Sequence, residues 1–121
     1  MADVYGSNYE KEWILDPSEQ AAKGSRNAHA KYQLEDFSGV ADTDKLYICK
    51  IQHFSVFLGL EALVGALGAG AVEAIDKDGN ATVISVGDEV DGQIEGGLDI
   101  VLTADATTSA SLKLLAKFLM D

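Results

Sequence analysis

The chain has 121 residues, of which 47% are hydrophobic and 24% charged, so it has the length and composition of one globular domain and not of a disordered chain. Its 20 acidic and 9 basic residues give a net charge of −11, and a surface of this charge repels nucleic-acid phosphates and anionic lipids. The one cysteine cannot form an internal disulfide, which excludes a disulfide-rich secreted scaffold.

The first 30 residues are polar and contain the only proline, Pro17. No helical or strand period persists there, which predicts an extended N-terminal arm over residues 1–30. The single apolar cluster in the arm is Trp13, Ile14 and Leu15. Because tryptophan is favoured at protein contacts, we expect this cluster either to fill a pocket on a partner or to fold back on its own domain. The N-terminus lacks the basic start and apolar core of a signal peptide, so synthesis in a cytoplasm is expected.

Strand patterns separated by turn signals begin after the arm and predict one β domain over residues 31–121. Apolar and polar residues alternate from Ala30 to Glu35, which is typical of a strand with one face in water. Lys45–Ile51 is apolar on both sides, so both faces should be covered. Asp78-Gly79-Asn80 predicts a hairpin turn, and Leu98–Ala104 has the clearest alternation in the chain. Strands at this spacing predict an all-β fold, an antiparallel, jelly-roll-like sandwich.

Two segments permit other interpretations. Residues 54–70 are apolar enough to suggest a membrane span, but Glu61 would lie in hydrocarbon and three glycines would weaken a helix. We therefore predict a strand over 54–64, a glycine loop, and a second strand from about residue 71. Residues 109–120 fit a helix about as well as a strand, and the strands before them favour a closing strand.

No motif indicates catalysis, a cofactor or a metal. Gly68-Ala69-Gly70 lacks the third glycine of a dinucleotide loop, and Asp76-Lys77-Asp78-Gly79-Asn80 lacks two defining positions of a calcium loop. His29 and His53 have no partner at a recognisable spacing. Asp88, Glu89 and Asp91 could support acid–base chemistry, but such a charge run is usually a solvated loop. Cys49 is expected to be a buried thiol.

The order of these features resembles a group of small structural proteins of tailed bacteriophages, the capsid decoration (cement) or head fibre proteins. The resemblance lies in Tyr5-Gly-Ser-Asn-Tyr9, in Asp44–Ile48, in the apolar stretch Leu63–Gly70, and in the closing pair Asp99–Thr103 and Leu112–Leu114. Gln52-His53 departs from the Pro-Gly or Ala-Gly step that this group often has.

The resemblance implies a β-sandwich on the outer surface of a phage capsid, as a homotrimer that binds the major capsid protein with its arm and one sandwich edge. The expected partner-binding residues of the arm are Tyr5, Tyr9, Trp13, Ile14 and Leu15. Catalytic residues, cofactors, metals, nucleic acid and membrane are not expected. The alternative is a tail or head fibre module that binds a host-surface glycan or receptor, which would favour an exposed aromatic platform.

Overall fold

A computed structural model describes residues 2–9, 29–52 and 54–120 of the chain. Within these ranges the chain forms nine strands and no helix, and the strands form two sheets that pack on each other. The predicted all-β sandwich is thus confirmed. The strands are β1 (Asp3–Tyr5), β2 (His29–Phe37), β3 (Lys45–Ile51), β4 (Phe54–Val64), β5 (Val72–Ile75), β6 (Ala81–Val83), β7 (Glu89–Asp91), β8 (Leu98–Thr103) and β9 (Leu112–Met120).

The strand order is that of a jelly roll. One sheet has the order β1-β3-β8-β5-β6 and the other has the order β2-β9-β4-β7. β2 pairs with β9, β3 with β8, β4 with β7 and β5 with β6, all antiparallel. The chain from β2 to β9 is therefore one long hairpin rolled into two sheets, which is the arrangement that defines the jelly roll. β1 is an addition, since it pairs in parallel with the edge of β3.

The tip of the long hairpin is the predicted turn between β5 and β6. Gly79 has a φ of +86°, a backbone conformation that glycine adopts without a steric penalty. The Asp76 carboxylate accepts hydrogen bonds from the backbone N–H groups of Asp78 and Asn80, each at 2.9 Å. The hydrogen bonds to Asn80 are the largest cause that holds the pKa of Asp76 below its usual range. The hydrogen bonds of the Asp76 carboxylate are thus made within its own turn.

The core lies between the sheets and is built from alternate residues of the long strands. Phe118 of β9 is fully buried, and its ring lies 5.4 Å from that of Phe57 on β4. A β-bulge in β3 between Tyr47 and Cys49 lets Ile48 and Cys49 both be buried although they are neighbours. The prediction of a buried Cys49 thiol is confirmed, and burial raises the pKa of that thiol.

Both ambiguous segments are strands. β4 covers residues 54–64 and β5 begins at Val72, so the predicted strand, loop and strand are confirmed. β9 confirms the closing strand, and it lies between β2 and β4 at the centre of its sheet. Among the described residues, no helix has the length and apolar character to cross a membrane.

The glycine loop between β4 and β5 packs tightly on the loop that follows β8. The Ala69 N–H donates to the Asp105 carboxylate at 2.8 Å, and the Ala66 N–H donates to the Ser109 hydroxyl at 2.8 Å. Hydrogen bonds from Thr107 hold the pKa of Asp105 below its usual range. The Asp105 carboxylate therefore accepts the hydrogen bond of a backbone N–H group that would have to bind phosphate in a dinucleotide loop.

β2 is a strand as predicted, but its polar side is buried and its apolar side faces water. Gln33 and Glu35 are buried, whereas Tyr32 and Leu34 are exposed. The physical reason is that the buried pair holds the N-terminal segment. The Asn8 N–H donates to both Glu35 carboxylate oxygens at 3.1 Å, and the Gln33 amide donates to the backbone carbonyl oxygens of Asn8 and Ile48.

Glu35 makes stability depend on pH in a direction that can be measured. Burial raises the pKa of Glu35 above its usual range, and the hydrogen bonds from Asn8, Gln33 and Ser7 only partly oppose this effect. A raised folded-state pKa stabilises the fold at low pH, and this contribution is lost as the pH rises through the folded-state pKa. We expect the wild type to lose stability relative to the Glu35→Gln variant as the pH rises from 4 towards neutral.

The measurement is the free energy of unfolding in urea, taken at about six pH values for each protein. Asp36→Asn is the control because it removes one charge from an exposed position of the same strand. A wild type that gains stability relative to Glu35→Gln over this pH range contradicts the prediction.

Candidate functional site

The outer surface of the β2-β9-β4-β7 sheet is the main candidate site. Residues directly opposite each other in an antiparallel ladder lie on the same face. Tyr32 is opposite Lys117, Leu34 is opposite Leu115, and Leu119 lies between Ala30 and Val56. We call this surface the apolar face and define it by its outward side chains: Ala30, Tyr32, Leu34, Val56, Leu58, Leu115 and Leu119.

Several apolar side chains on this face and at its border are more exposed than is usual for their type. Tyr32 is 60% exposed, Leu34 is 42% exposed, and Phe54 at the end of β4 is 52% exposed. A sheet whose second face meets only water normally carries polar residues on that face. Contiguous apolar exposure of this kind marks an interaction surface.

β4 contributes Val56 and Leu58 to the apolar face, and its pairing with β9 contains two bulges. The register shifts between Phe57 and Gly59 and again between Ala62 and Val64. Leu58 and Leu63, the residues at these two shifts, are exposed. Gly59 has a φ of +118°, which favours glycine there. Leu58 continues the outward alternation of Phe54 and Val56, and the bulge after it places Gly59 opposite Lys117, an outward residue of β9.

The charge of this surface differs from that of the rest of the second half of the chain. Residues 61–121 contain 11 acidic and 3 basic residues, and two of the basic ones project outward from β9: Lys113 opposite Asp36, and Lys117 between Leu115 and Leu119. The Lys117 ammonium lies 3.2 Å from the Glu61 carboxylate. At the β7 side a shallow groove of ≈ 330 Å³ is lined by Phe54, Ser55, Val56, Glu89 and Leu119. The face thus combines apolar side chains with the Lys117–Glu61 ion pair, a mixed composition that protein–protein contacts share.

Of the residues predicted to bind a partner, Tyr5 and Tyr9 lie together on the other sheet. The Tyr5 ring stacks on Tyr47 of β3 with centroids 4.4 Å apart, and the Tyr9 ring meets Tyr47 edge-on at 5.9 Å. The Tyr9 hydroxyl donates to the Asp99 carboxylate, and burial together with this carboxylate raises the pKa of Tyr9. We call Tyr5, Tyr9 and Tyr47 the tyrosine cluster. Trp13, Ile14 and Leu15 lie outside the described residues, so their role stays a prediction.

Two of the three carboxylates that could have supported catalysis, Asp88 and Asp91, serve as turn formers, and the third, Glu89, is exposed on β7. Asp88 accepts a hydrogen bond from the Ser85 N–H at 2.8 Å, and Asp91 accepts one from the Gln93 N–H at 3.1 Å. Both groups are exposed. In the described part of the chain, no group of three or more histidine, cysteine or acidic side chains could hold a metal ion.

Sequence reasoning missed the apolar face, although one signal for it was present. The closing strand has Leu112, Leu114, Ala116 and Phe118 on one side and Leu115 and Leu119 on the other. The structure buries the first set, so the second set must face outward. The outer side of β9 thus alternates leucine with Lys113 and Lys117, so it is more apolar than a side that meets only water normally is.

Comparison of the chain with models of protein families, with curated proteins and with solved structures finds no match.

Proposed function

We propose that this protein is a capsid decoration protein of a tailed bacteriophage, which binds the outer surface of the major capsid protein shell and stabilises it, as a homotrimer. The observation that carries the proposal is the apolar face, because an exposed apolar sheet surface is suited to a broad protein contact. The sequence resemblance supplies the class of partner. The net charge of −11 supports a role outside the shell, where contact with the packaged nucleic acid is not needed.

The proposed mechanism of stabilisation is thermodynamic linkage. A protein that binds only the assembled shell lowers the free energy of that state by RT ln(1 + [L]/Kd). The apolar face offers the contact area, and its exposed leucines and Tyr32 are the proposed anchors. The acidic remainder of the surface would keep coated shells apart from one another.

The test is co-sedimentation of the purified protein with undecorated expanded shells. The double variant Tyr32→Glu, Leu34→Glu places two carboxylates in the apolar face. Burying unpaired charges in a contact costs about 3 kcal/mol or more, so we expect affinity to fall by about two orders of magnitude. The matched control, Ala81→Glu with Val83→Glu, adds the same two charges at the same spacing on β6, where both residues are exposed.

Wild-type binding in proportion to the capsid protein, lost in the first variant and kept in the control, supports the proposal. Failure of the wild type to bind any expanded shell would reject it. Electron microscopy of particles with and without the protein locates the contact, and sedimentation analysis of the free protein measures its oligomeric state. The apolar-face variant is accepted for binding assays only if its denaturation midpoint stays close to that of the control.

The role of the arm is resolved with the same assay. Truncation of residues 1–16 would remove β1 and the contacts of Asn8 with Glu35, so it would damage the sandwich as well. Simultaneous replacement of Trp13, Ile14 and Leu15 by alanine is the cleaner variant. Loss of shell binding at unchanged stability indicates a peg in a partner, and loss of stability at unchanged binding indicates packing on the chain's own domain.

A further inference from the structure

The tyrosine cluster lies on the sheet opposite the apolar face and has a solvent-exposed aromatic component. Tyr5 and Tyr47 are directly opposite each other in the parallel pairing of β1 and β3, and their rings are stacked with an interplanar angle of 21°. Tyr5 is nevertheless 56% exposed. Three of the four tyrosines of the chain thus gather at one site, and one of them presents its ring to the outside.

A polar groove begins at Lys50, which is linked to the tyrosine cluster through Asp99. Its volume is ≈ 410 Å³, and it is lined by Lys50, Gln52, Gln93, Ile94 and the backbone of Gly96 and Gly97. The Lys50 ammonium lies 3.7 Å from the Asp99 carboxylate, the same carboxylate that accepts the hydrogen bond from Tyr9. Asp99 therefore joins the aromatic part of the surface to the polar part.

The two parts together match the chemistry of a sugar ring. A pyranose has an apolar C–H face that packs on an aromatic ring, and hydroxyl groups that both donate and accept hydrogen bonds. The Tyr5 ring is suited to the first property. The Lys50 ammonium donates, the Asp99 carboxylate accepts, and the side-chain amides of Gln52 and Gln93 do both. A purely apolar ligand would displace water from these polar groups without replacing the hydrogen bonds of that water.

The charge of the protein favours neutral over anionic saccharides. The chain carries a net charge of −11, and among the described residues the groove lining has one cation, Lys50, which is paired with Asp99. Anionic polysaccharides are therefore repelled at long range and find no free positive group in the groove. We propose that the tyrosine cluster and the adjoining groove form a binding site for a neutral saccharide.

The site does not depend on the proposed attachment to a shell, so it is tested on the free protein. The probes are maltohexaose, cellohexaose, chitohexaose and lacto-N-tetraose as neutral oligosaccharides, and polygalacturonate as the anionic polymer. Binding is followed by ¹H–¹⁵N correlation spectra, in which a bound sugar shifts the amide signals of β1, β3 and the 92–97 loop. We expect at least one neutral probe to bind and polygalacturonate not to bind.

The variants compare two tyrosines of similar exposure on opposite sheets. Tyr5→Ala should weaken binding about three- to tenfold through loss of stacking, and Tyr5→Phe should retain it. Tyr32→Ala, on the apolar face, should leave the affinity unchanged. Gln93→Ala, in an exposed loop of the groove, should weaken binding without any effect on β1, which guards against a loss caused only by release of the N-terminal segment.

Three results would overturn the proposal. They are the absence of binding by all four neutral probes, preferential binding of polygalacturonate, and an equal loss of affinity in Tyr32→Ala. Because no shell is present in the assay, none of these results bears on the proposed decoration function, and failure of shell binding would leave the saccharide site intact.

Discussion

Replacing Gly70 with alanine is expected to lower the free energy of unfolding by about 3 kcal/mol or more, although the change adds only one methyl group. A Cβ atom at this position would lie 1.6 Å from the backbone carbonyl oxygen of Thr103. The obstacle is backbone of β8 and not the end of a flexible side chain, so it cannot move away without breaking the pairing of β8 with its neighbours. A loss of this size is a large part of the stability of a typical small domain.

Urea denaturation of purified Gly70→Ala measures this effect, with expression as inclusion bodies as its extreme form. Gly39→Ala is the control. Gly39 has a φ of +69° and no atom within 4 Å of its hypothetical Cβ, so it reports the backbone strain alone, about 1 kcal/mol. Similar losses in the two variants would contradict the proposed close approach of the glycine loop to β8.

Truncation of Phe118 to alanine is expected to cost about 3–5 kcal/mol. Phe118 is fully buried on the central strand β9 and packs against Phe57 of the neighbouring strand. Its removal takes apolar surface out of the core and leaves a cavity that the surrounding strands can close only in part. The chain offers a matched control in Phe54, which is 52% exposed on β4.

The two phenylalanine variants should therefore separate stability from partner binding. We expect Phe54→Ala to change the free energy of unfolding by about 0.5 kcal/mol or less. In the shell assay the same variant should weaken binding, because Phe54 borders the apolar face. A Phe118→Ala protein as stable as Phe54→Ala would mean that Phe118 does not belong to the core between the two sheets.

The parts of the fold that could be predicted from the sequence are those set by local patterns. The Asp76–Asn80 turn follows from the residues themselves, since an aspartate that caps its own turn and a glycine with positive φ need no distant partner. Glu61 and the glycines at 65, 68 and 70 distinguish β4 and its loop from a membrane-spanning helix. β8 alternates because one of its faces, with Leu98, Ile100 and Leu102, meets the core.

The parts that could not be predicted depend on contacts between distant residues. Nothing near Glu35 indicates that its carboxylate is buried, because its partners are 27 and 28 residues away in the N-terminal segment. The same contacts reverse the expected faces of β2 and so create half of the apolar face. β1 is only three residues long, and its pairing with β3 leaves no periodic signal in a polar stretch. The tyrosine cluster arises from this pairing.

The position of β9 has a consequence for how the chain folds. β9 follows both of its neighbours in sequence and lies between β2 and β4, so neither of them can find its main partner until β9 has left the ribosome. Pairing over such long sequence separations makes folding slow. Until then β4, an eleven-residue apolar strand, has only the short strand β7 of its two sheet partners, and the edge that β9 covers in the folded sheet stays open to aggregation. Insertion of β9 therefore closes the sheet, and a ribosome that stalls before β9 leaves this edge of β4 exposed.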